Sequence, residues 1–472
     1  MTEDWLAVCT GLLIFAMAAG VFFGADLLGW AVTTSVWTNV SKALGPASKS
    51  YAAVPGVVAL LATYLFLLLV MAAGAVTLGA HLPRFLKGFT AVFFVSYACW
   101  IAGSWAYIAA TPDKLKNFGI GWSLNLTSEA GFIVALIAGL VVGNFMPPVA
   151  KFMKEAIRPE LYVKTAIVIL GGFLGVTAAE QLGLATSVMF RGLCAIVEAY
   201  LIYWALVYFI ARKYFKFSRE WSVPLASGIS ICGVSAAIAT GAAIRARPVV
   251  PIMVSSLVVI FAVVELLMLP FMAQAFLYQE PMVAGAWMGL AVKTDGAAVA
   301  SGAITESLIL AKVLATQGVQ YKAGWIMAVT TTVKVFIDVF ICIWACILAW
   351  IWSAKIEPRP GEKVKPGQIW LRFPKFILGY ILTFAVILFI GISFPGVVGK
   401  AKAAMGQANI FRGIFFVMTF FTIGVVSNFR KLWEEGIGRL AVVYVLCLFG
   451  FIIWIGLAIS WLFFHGVKPP TV

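Results

Sequence analysis

The sequence predicts an all-α polytopic membrane protein with about 13 transmembrane helices, counted as apolar runs near the roughly 20 residues needed to cross a bilayer. Hydrophobic residues make up 63% of the 472 residues, charged residues only 11%, and the mean hydropathy is +1.02. Soluble domains average about a quarter charged residues. Tryptophans stand near the ends of several apolar runs, which is typical of the interfacial aromatic belt.

The apolar runs give the predicted order of spans. They cover residues 6–31, 53–79, 89–110, 130–148, 163–179, 187–211, 221–243, 249–275, 283–304, 323–353, 371–394, 409–428 and 437–464. We predict an accessory amino-terminal bundle within residues 1–129, a first transporter repeat over 130–275 and a second over 276–472.

Charge patterning excludes one class of partner and predicts an orientation. The net charge of +15 would suggest nucleic acid for a soluble chain, but Lys and Arg gather here between apolar runs. We therefore exclude nucleic acid as a partner. More of these cations fall in loops on the amino-terminal side, which predicts a cytoplasmic amino terminus.

Cysteine and histidine usage predicts neither a disulfide framework nor a metal site. All seven cysteines lie inside apolar segments, and the two histidines, His81 and His465, are far apart in sequence. No cofactor is expected.

Two pairs of short segments suggest an internal repeat. The fourth span contains "AGLVVGNF" and the ninth "MGLAVKTD", while the seventh contains "SICGVSA" and the twelfth "TIGVVSN". Each pair is five spans apart, so its members cross in opposite directions, as an inverted repeat of five plus five helices requires. Small residues at helix contacts produce similar matches without any duplication.

The ordered segments "GLVVGN", "VKTAIVILGGFLG", "GISICGVSAAIA", "TTTVK", "FPKFILGYI" and "TIGVVSNFRKL" resemble the bacterial YeiH-like family of sulfate exporters. The resemblance covers residues 131–463, and the Ser-Ile-Cys-Gly-x-Ser-Ala core is its most specific part. That family is grouped with the cation/proton antiporter and anion transporter superfamily. The resemblance implies inverted repeats whose discontinuous helices cross near the bilayer centre.

The sequence departs from the family pattern at the ninth and tenth spans. A His-Glu pair expected in the ninth span is replaced by Lys293 and Thr294. The basic residue expected three positions after Lys334 is Ile337, with Asp338 beside it. The resemblance therefore fixes neither substrate nor coupling ion.

Interrupted helices would provide an anion site. If the seventh span unwinds around Cys232, Gly233 and Val234, a second half-helix begins near Ser235 with unpaired N–H groups that favour an anion. A similar break is predicted at Gly424, and the alternative at both places is close helix packing. The candidate substrate-binding residues are Ser230, Cys232, Gly233, Ser235, Lys293, Lys334, Thr422, Gly424, Ser427 and Asn428.

Ionisable residues inside spans are costly and are functional candidates by default. Lys293 and Asp295 do not share a helix face at a separation of two, so we predict a break, placed at Gly296, or separate partners. Lys334 and Asp338 are four apart and can pair. The candidate ion-coupling residues are Asp295, Asp338, Glu198 and Glu265, with structural ion pairs as the alternative for each.

These observations predict a secondary active transporter of a small anion, such as sulfate or an organic sulfonate, working by alternating access. Coupling to protons or sodium is expected, and the partners are the lipid bilayer and further copies of the chain in a homo-oligomer. The alternatives are a cation/proton antiporter and an anion channel. We do not expect an enzyme, because a Ser or Cys nucleophile needs a nearby base and neither histidine lies in the relevant spans.

Overall fold

The computed structural model describes residues 2–110, 114–124, 130–180, 182–247, 249–356, 375–427 and 438–472. Asn428 lies outside these residues, and the side chain of Ser235 is likewise not described. A short antiparallel hairpin pairs β1 (Val32–Thr34) with β2 (Leu44–Pro46). All other regular structure in the described residues is helical.

The helices follow one another closely along the chain. The first eleven are α1 (Glu3–Ala19), α2 (Gly56–Thr77), α3 (Leu82–Gly103), α4 (Ala106–Ala109), α5 (Ala130–Phe145), α6 (Pro147–Met153), α7 (Pro159–Glu180), α8 (Leu182–Gly192), α9 (Cys194–Val197), α10 (Trp204–Lys213) and α11 (Arg219–Ser230). The others are α12 (Val234–Ala243), α13 (Val249–Phe276), α14 (Pro281–Ala291), α15 (Asp295–Gln317), α16 (Trp325–Val339), α17 (Ile341–Ile351), α18 (Phe376–Ser393), α19 (Val398–Val426), α20 (Gly438–Cys447) and α21 (Ile453–Phe464). Segments of π-helix occupy Glu198–Tyr203, Trp352–Ile356 and Leu448–Ile452.

The membrane class is confirmed, with fewer continuous spans than predicted. Eleven helical segments of the described chain are long and apolar enough to cross a bilayer, and the bent pair α5 and α6 would add a twelfth. The predicted seventh span is absent from this set because α11 and α12 are separate half-helices of 12 and 10 residues. The predicted fourth span bends by 112° after Phe145, where Pro147 and Pro148 begin α6.

Contacts divide the chain into two compact units. Unit 1 contains Met1–Ala185, Leu310–Val319 and Lys375–Val426, and unit 2 contains Thr186–Ile309, Gln320–Pro374 and Ser427–Val472. These are spatial units, and the predicted division into a bundle and two sequence repeats stays a prediction.

Unit 1 is built around α7, which is buried on nearly every side. Gly171 lets α18 approach so closely that an added Cβ would lie 2.4 Å from the carbonyl oxygen of Tyr380. Thr383 of α18 donates a hydrogen bond to the carbonyl oxygen of Val168, at 2.8 Å. The predicted accessory bundle contributes to the same unit, because the ammonium group of Lys164 in α7 forms a 2.9 Å ion pair with Asp4 of α1.

The second predicted break, at Gly424, is wrong. The helix α19 continues through Gly424 and ends at Val426. Gly424 instead permits close packing against α5, because an added Cβ would lie 2.4 Å from the carbonyl oxygen of Leu136. The facing Gly139 has the same role, with the carbonyl oxygen of Phe421 at 2.1 Å from an added Cβ. The small residues in "AGLVVGNF" and "TIGVVSN" therefore meet in a close contact between α5 and α19.

Replacing Gly424 or Gly139 by Ala should destabilise the protein. Backbone atoms of the facing helix leave no room for a methyl group, and overpacking of this kind typically costs about 1–3 kcal/mol. Gly406→Ala in the same helix α19 is the control, because no atom lies within 4 Å of an added Cβ there. Thermal unfolding in detergent should show lower midpoints for Gly424→Ala and Gly139→Ala only. Equal midpoints for all three variants would contradict the close contact.

Candidate functional site

The first interruption in unit 2 separates α11 from α12. The helix α11 ends at Ser230, and Ile231, Cys232 and Gly233 leave the helical path before α12 begins at Val234. Gly233 has φ +72° and ψ −107°, a conformation that residues with a side chain rarely adopt. An added Cβ at Gly233 would also lie 2.5 Å from Cγ1 of Val258. The predicted break around Cys232 and Gly233 is confirmed.

The second interruption separates α14 from α15. The helix α14 ends at Ala291, Val292 is extended, and α15 begins at Asp295. Thr294 caps the new helix by accepting a hydrogen bond from the Ala297 amide, at 3.2 Å. The ninth span is therefore broken as predicted, but before Asp295 rather than at Gly296.

Lys334 of α16 joins the two interruptions. Its ammonium group donates to the carbonyl oxygens of Ile231 at 2.9 Å and Lys293 at 3.0 Å, with Val292 at 3.5 Å. These carbonyls lie just beyond the carboxyl ends of α11 and α14, where helices have unsatisfied acceptors and partial negative charge. One cation thus satisfies backbone groups freed by both breaks.

The side chain and the backbone amide of Lys293 contact different groups from those that contact Lys334. Its ammonium group donates to the carbonyl oxygen of Leu290 and lies 4.5 Å from the centroid of the Tyr203 ring. Its backbone amide donates to Oε2 of Glu265 at 3.0 Å, so a carboxylate of α13 satisfies the exposed backbone of the second interruption. Lys293 and Glu265 are both fully buried.

Two carboxyl groups and one thiol lie close together beside Lys334. The Sγ of Cys232 and a carboxylate oxygen from each of Asp295 and Asp338 lie within 4.8 Å of one another. The ion pair of Lys334 is with Asp295, at 3.7 Å, and not with the neighbour four residues along its own helix. With both carboxyls ionised, the two aspartates and Lys334 carry a net charge of −1, and a single proton or monovalent cation makes the group neutral.

These donor atoms could hold a cation. A thiol and two carboxylates are recognised ligand types for metals such as zinc. The ammonium group of Lys334, 3.7 Å from Oδ1 of Asp295, opposes the binding of a divalent ion electrostatically. The set therefore suits a proton or a monovalent cation better than a resident divalent metal.

A π-helical segment adds two tyrosines and a carboxylate. The hydroxyl of Tyr200 donates to the carbonyl oxygen of Ile337 at 2.5 Å, next to Asp338. The hydroxyl of Tyr203 donates to the carbonyl oxygen of Ile452 at 2.9 Å. Glu198 begins this segment and is fully buried. Such π-helical insertions frequently occur at functional sites.

Comparison with known proteins places the chain in a family of membrane proteins. The family model described as conserved hypothetical protein 698 matches residues 121–443. A UPF0324 membrane protein of Nitrosomonas europaea is 39% identical over 480 residues, covering 100% of this chain and 97% of the relative. The chain belongs to this family of UPF0324 membrane proteins.

Two further relatives have either a shorter match or a lower identity. An uncharacterized protein of Archaeoglobus fulgidus is 50% identical over 164 residues, which is 30% of this chain and 88% of that protein. A UPF0324 membrane protein of Nitratidesulfovibrio vulgaris is 27% identical over 416 residues, covering 85% of this chain and 63% of the relative. No solved structure matches the chain. The names of these relatives state neither substrate nor transport, so the resemblance to sulfate exporters stays a prediction.

The structure gathers most of the predicted polar residues in unit 2. The members of this cluster are Glu198, Ser230, Cys232, Gly233, Glu265, Lys293, Asp295, Lys334 and Asp338. Thr422 and Gly424 belong to unit 1 instead, and the Thr422 hydroxyl donates to the carbonyl oxygen of Met418 at 2.7 Å. Ser427 is buried directly after α19. Their roles in binding remain predictions.

Glu306 is a positioning residue that the sequence reasoning missed. Its carboxylate in α15 accepts hydrogen bonds from the amides of Gly324 at 2.8 Å, Ile326 at 2.9 Å and Met327 at 3.1 Å. These amides form the start of α16, the helix that carries Lys334. Glu306 lies two residues beyond the predicted ninth span, 283–304, so the rule that selects ionisable residues inside spans did not include it.

Glu306→Ala should therefore lower the stability of the protein more than a substitution that breaks an exposed ion pair. Three buried amides lose a carboxylate acceptor, and one such charged hydrogen bond is worth about 1.5–3 kcal/mol. The control is Glu220→Ala, which breaks an ion pair with the largely exposed Arg247 and should cost at most about 1 kcal/mol. The thermal unfolding midpoint of Glu306→Ala should be lower than that of Glu306→Gln, and both midpoints should be lower than that of Glu220→Ala. A midpoint equal to that of the control would refute the capping role.

Proposed function

We propose that this chain is a secondary active transporter whose binding and coupling site lies at the two interrupted helices of unit 2. The observation that carries the proposal is the shared contact of Lys334 with carbonyl oxygens of both interruptions. Interrupted helices within a membrane occur where protein or an aqueous path satisfies their backbone. Transporters use such breaks to bind substrates and coupling ions.

Coupling is assigned to the aspartate pair. Asp295 and Asp338 are buried together with Lys334, and two carboxyls at this separation cannot both ionise without a large electrostatic penalty. Binding and release of one proton or monovalent cation changes the net charge of the three groups between 0 and −1. A change of one charge in a buried site is large enough to shift a conformational equilibrium.

The proposed cargo is a small anion, such as sulfate or an organic sulfonate. The family resemblance supports this class. The start of α12 supports it too, because the residue before it, Gly233, has no side chain to cap the helix. The nearby hydroxyl of Ser230 is also buried without a hydrogen-bond partner among the described residues. Lys293 and Lys334 already donate to carbonyl oxygens, so an anion would have to compete with those carbonyls.

Cation/proton antiport is the second candidate, and the charge balance of the cluster favours it. Four buried carboxyls, Glu198, Glu265, Asp295 and Asp338, accompany only two buried ammonium groups, Lys293 and Lys334. An excess of carboxyls attracts cations and protons more readily than anions. The two candidates share the same coupling residues and differ in cargo.

The resemblance to a bacterial transporter family supports a bacterial cytoplasmic membrane, and the loop charges support a cytoplasmic amino terminus. We further propose a homo-oligomer with no enzymatic activity. The described site contains carboxylates, lysines and a thiol but no histidine, and nucleophilic catalysis by Cys232 would need a base positioned for it.

Transport should be tested in proteoliposomes with a trapped pH indicator. We expect an imposed sulfate or sulfonate gradient to move protons through the parent protein, and Asp338→Asn or Asp295→Asn to reduce that flux by about tenfold or more, since the proton acceptor is removed. Glu180→Gln is the control, because this carboxylate in unit 1 pairs with the exposed Lys402.

Each other outcome has a distinct meaning. Proton flux driven by sodium or potassium but by none of the anions would replace the anion proposal with cation/proton antiport. A passive anion conductance without stimulation by counter-substrate would indicate a channel. Unchanged coupled flux in both aspartate variants would refute the assigned coupling site.

A further inference from the structure

A basic cavity in unit 1 is separate from the cluster described above. It has a volume of about 610 Å³, and its lining includes four cations, Arg84, Lys87, Lys151 and Lys154. The only carboxylate in the lining is Glu155, and Phe152 provides an apolar wall. The lining therefore carries a net charge of +3.

The bend after α5 creates this cavity. The 112° turn directs α6 away from the axis of α5. If α5 crosses the membrane along its normal, this turn places α6 close to the plane of the membrane surface. Gly88 of α3 lies against the end of this segment, where an added Cβ would be 3.2 Å from the carbonyl oxygen of Met153. This contact places Arg84 and Lys87 of α3 opposite Lys151 and Lys154.

The four cations of the lining are not paired with carboxylates of the described residues. Within the described part of the chain, none of the four takes part in an ion pair, and all four are exposed. Four like charges around one concave surface repel each other and attract a polyvalent or clustered anion.

Apolar side chains next to the cations indicate the chemistry of that anion. Phe152 is 54% exposed and Phe145, at the bend, is 79% exposed. A soluble anion gains nothing from these rings, whereas a phospholipid places its phosphodiester among cations and its acyl chains against apolar side chains. Amphipathic segments at a membrane surface combine the same two features.

We propose that this cavity binds the headgroup of an anionic phospholipid, with the phosphodiester between α3 and α6 and the acyl chains beside Phe145 and Phe152. Basic pockets between membrane helices are suited to such headgroups. The bound lipid would hold α6 along the membrane surface. The site does not depend on the transport activity proposed for unit 2.

The test uses the full chain purified into neutral phosphatidylcholine nanodiscs, with phosphatidylglycerol added as the probe. We expect phosphatidylglycerol to raise the thermal midpoint of the parent protein and to remain bound after washing with neutral lipid. Arg84→Gln/Lys87→Gln/Lys151→Gln/Lys154→Gln should reduce the retained phosphatidylglycerol by about tenfold or more, because each cation near an anionic lipid surface contributes roughly fivefold.

The matched control changes four exposed lysines outside the cavity, namely Lys42→Gln/Lys49→Gln/Lys114→Gln/Lys116→Gln. It removes the same charge and should bind phosphatidylglycerol like the parent. A second variant, Arg84→Lys/Lys87→Arg/Lys151→Arg/Lys154→Arg, keeps the charge and should retain binding even if the glutamine variant folds poorly.

Two results would overturn the proposal. Equal retention of phosphatidylglycerol by the parent and the glutamine variant would show that the lipid binds elsewhere. An equal rise in the midpoint with inorganic phosphate alone would show a site for a soluble anion rather than for a membrane lipid.

Discussion

The contact of Lys334 with two interrupted helices is the constraint on which the organisation of unit 2 depends. A buried ammonium group is stable only when it is paired, and a buried carbonyl without a donor costs about 1–3 kcal/mol. The lysine and the carbonyls therefore stabilise each other, because Lys334 donates hydrogen bonds to the carbonyl oxygens of Ile231 and Lys293. The breaks persist in an apolar environment for this reason, and Glu306 fixes the start of the helix that carries the lysine.

Glu265 and Lys293 also use charged side chains to stabilise the interrupted backbone. Glu265 accepts from the backbone amide of Lys293, and the ammonium group of Lys293 lies over Tyr203. The charged side chains of this cluster form hydrogen bonds with backbone groups as well as contacts with each other. A substitution at one of them changes both the local charge and the path of a helix, so effects on stability and on coupling should be difficult to separate without conservative variants.

Much of the fold and part of the site were predictable from the sequence. Hydropathy identified the membrane class, and the combination of glycine with polar residues located the break at Gly233. The same reasoning was wrong at Gly424, because glycine permits either an unusual backbone angle or a close helix contact, and only the facing residue Leu136 decides between them. Spacing along α16 allowed Lys334 to pair with Asp338, but its ion pair is with Asp295. Contacts between distant segments, including the role of Glu306, leave no periodic signal in one sequence.

The geometry also constrains how cargo and conformation could be linked under the proposed function. An anion that draws the ammonium group of Lys334 toward itself weakens the bonds to Ile231 and Lys293, and those bonds hold the interruptions. A proton on the aspartate pair weakens a different contact of the same ammonium group, because a neutral Asp295 attracts Lys334 less strongly. Both ligands would then act on the position of Lys334. Two ligands that bias the position of the same group are thermodynamically coupled even when they never touch. Under the proposed function, Lys334 would therefore provide a physical route from ion binding to movement of the half-helices.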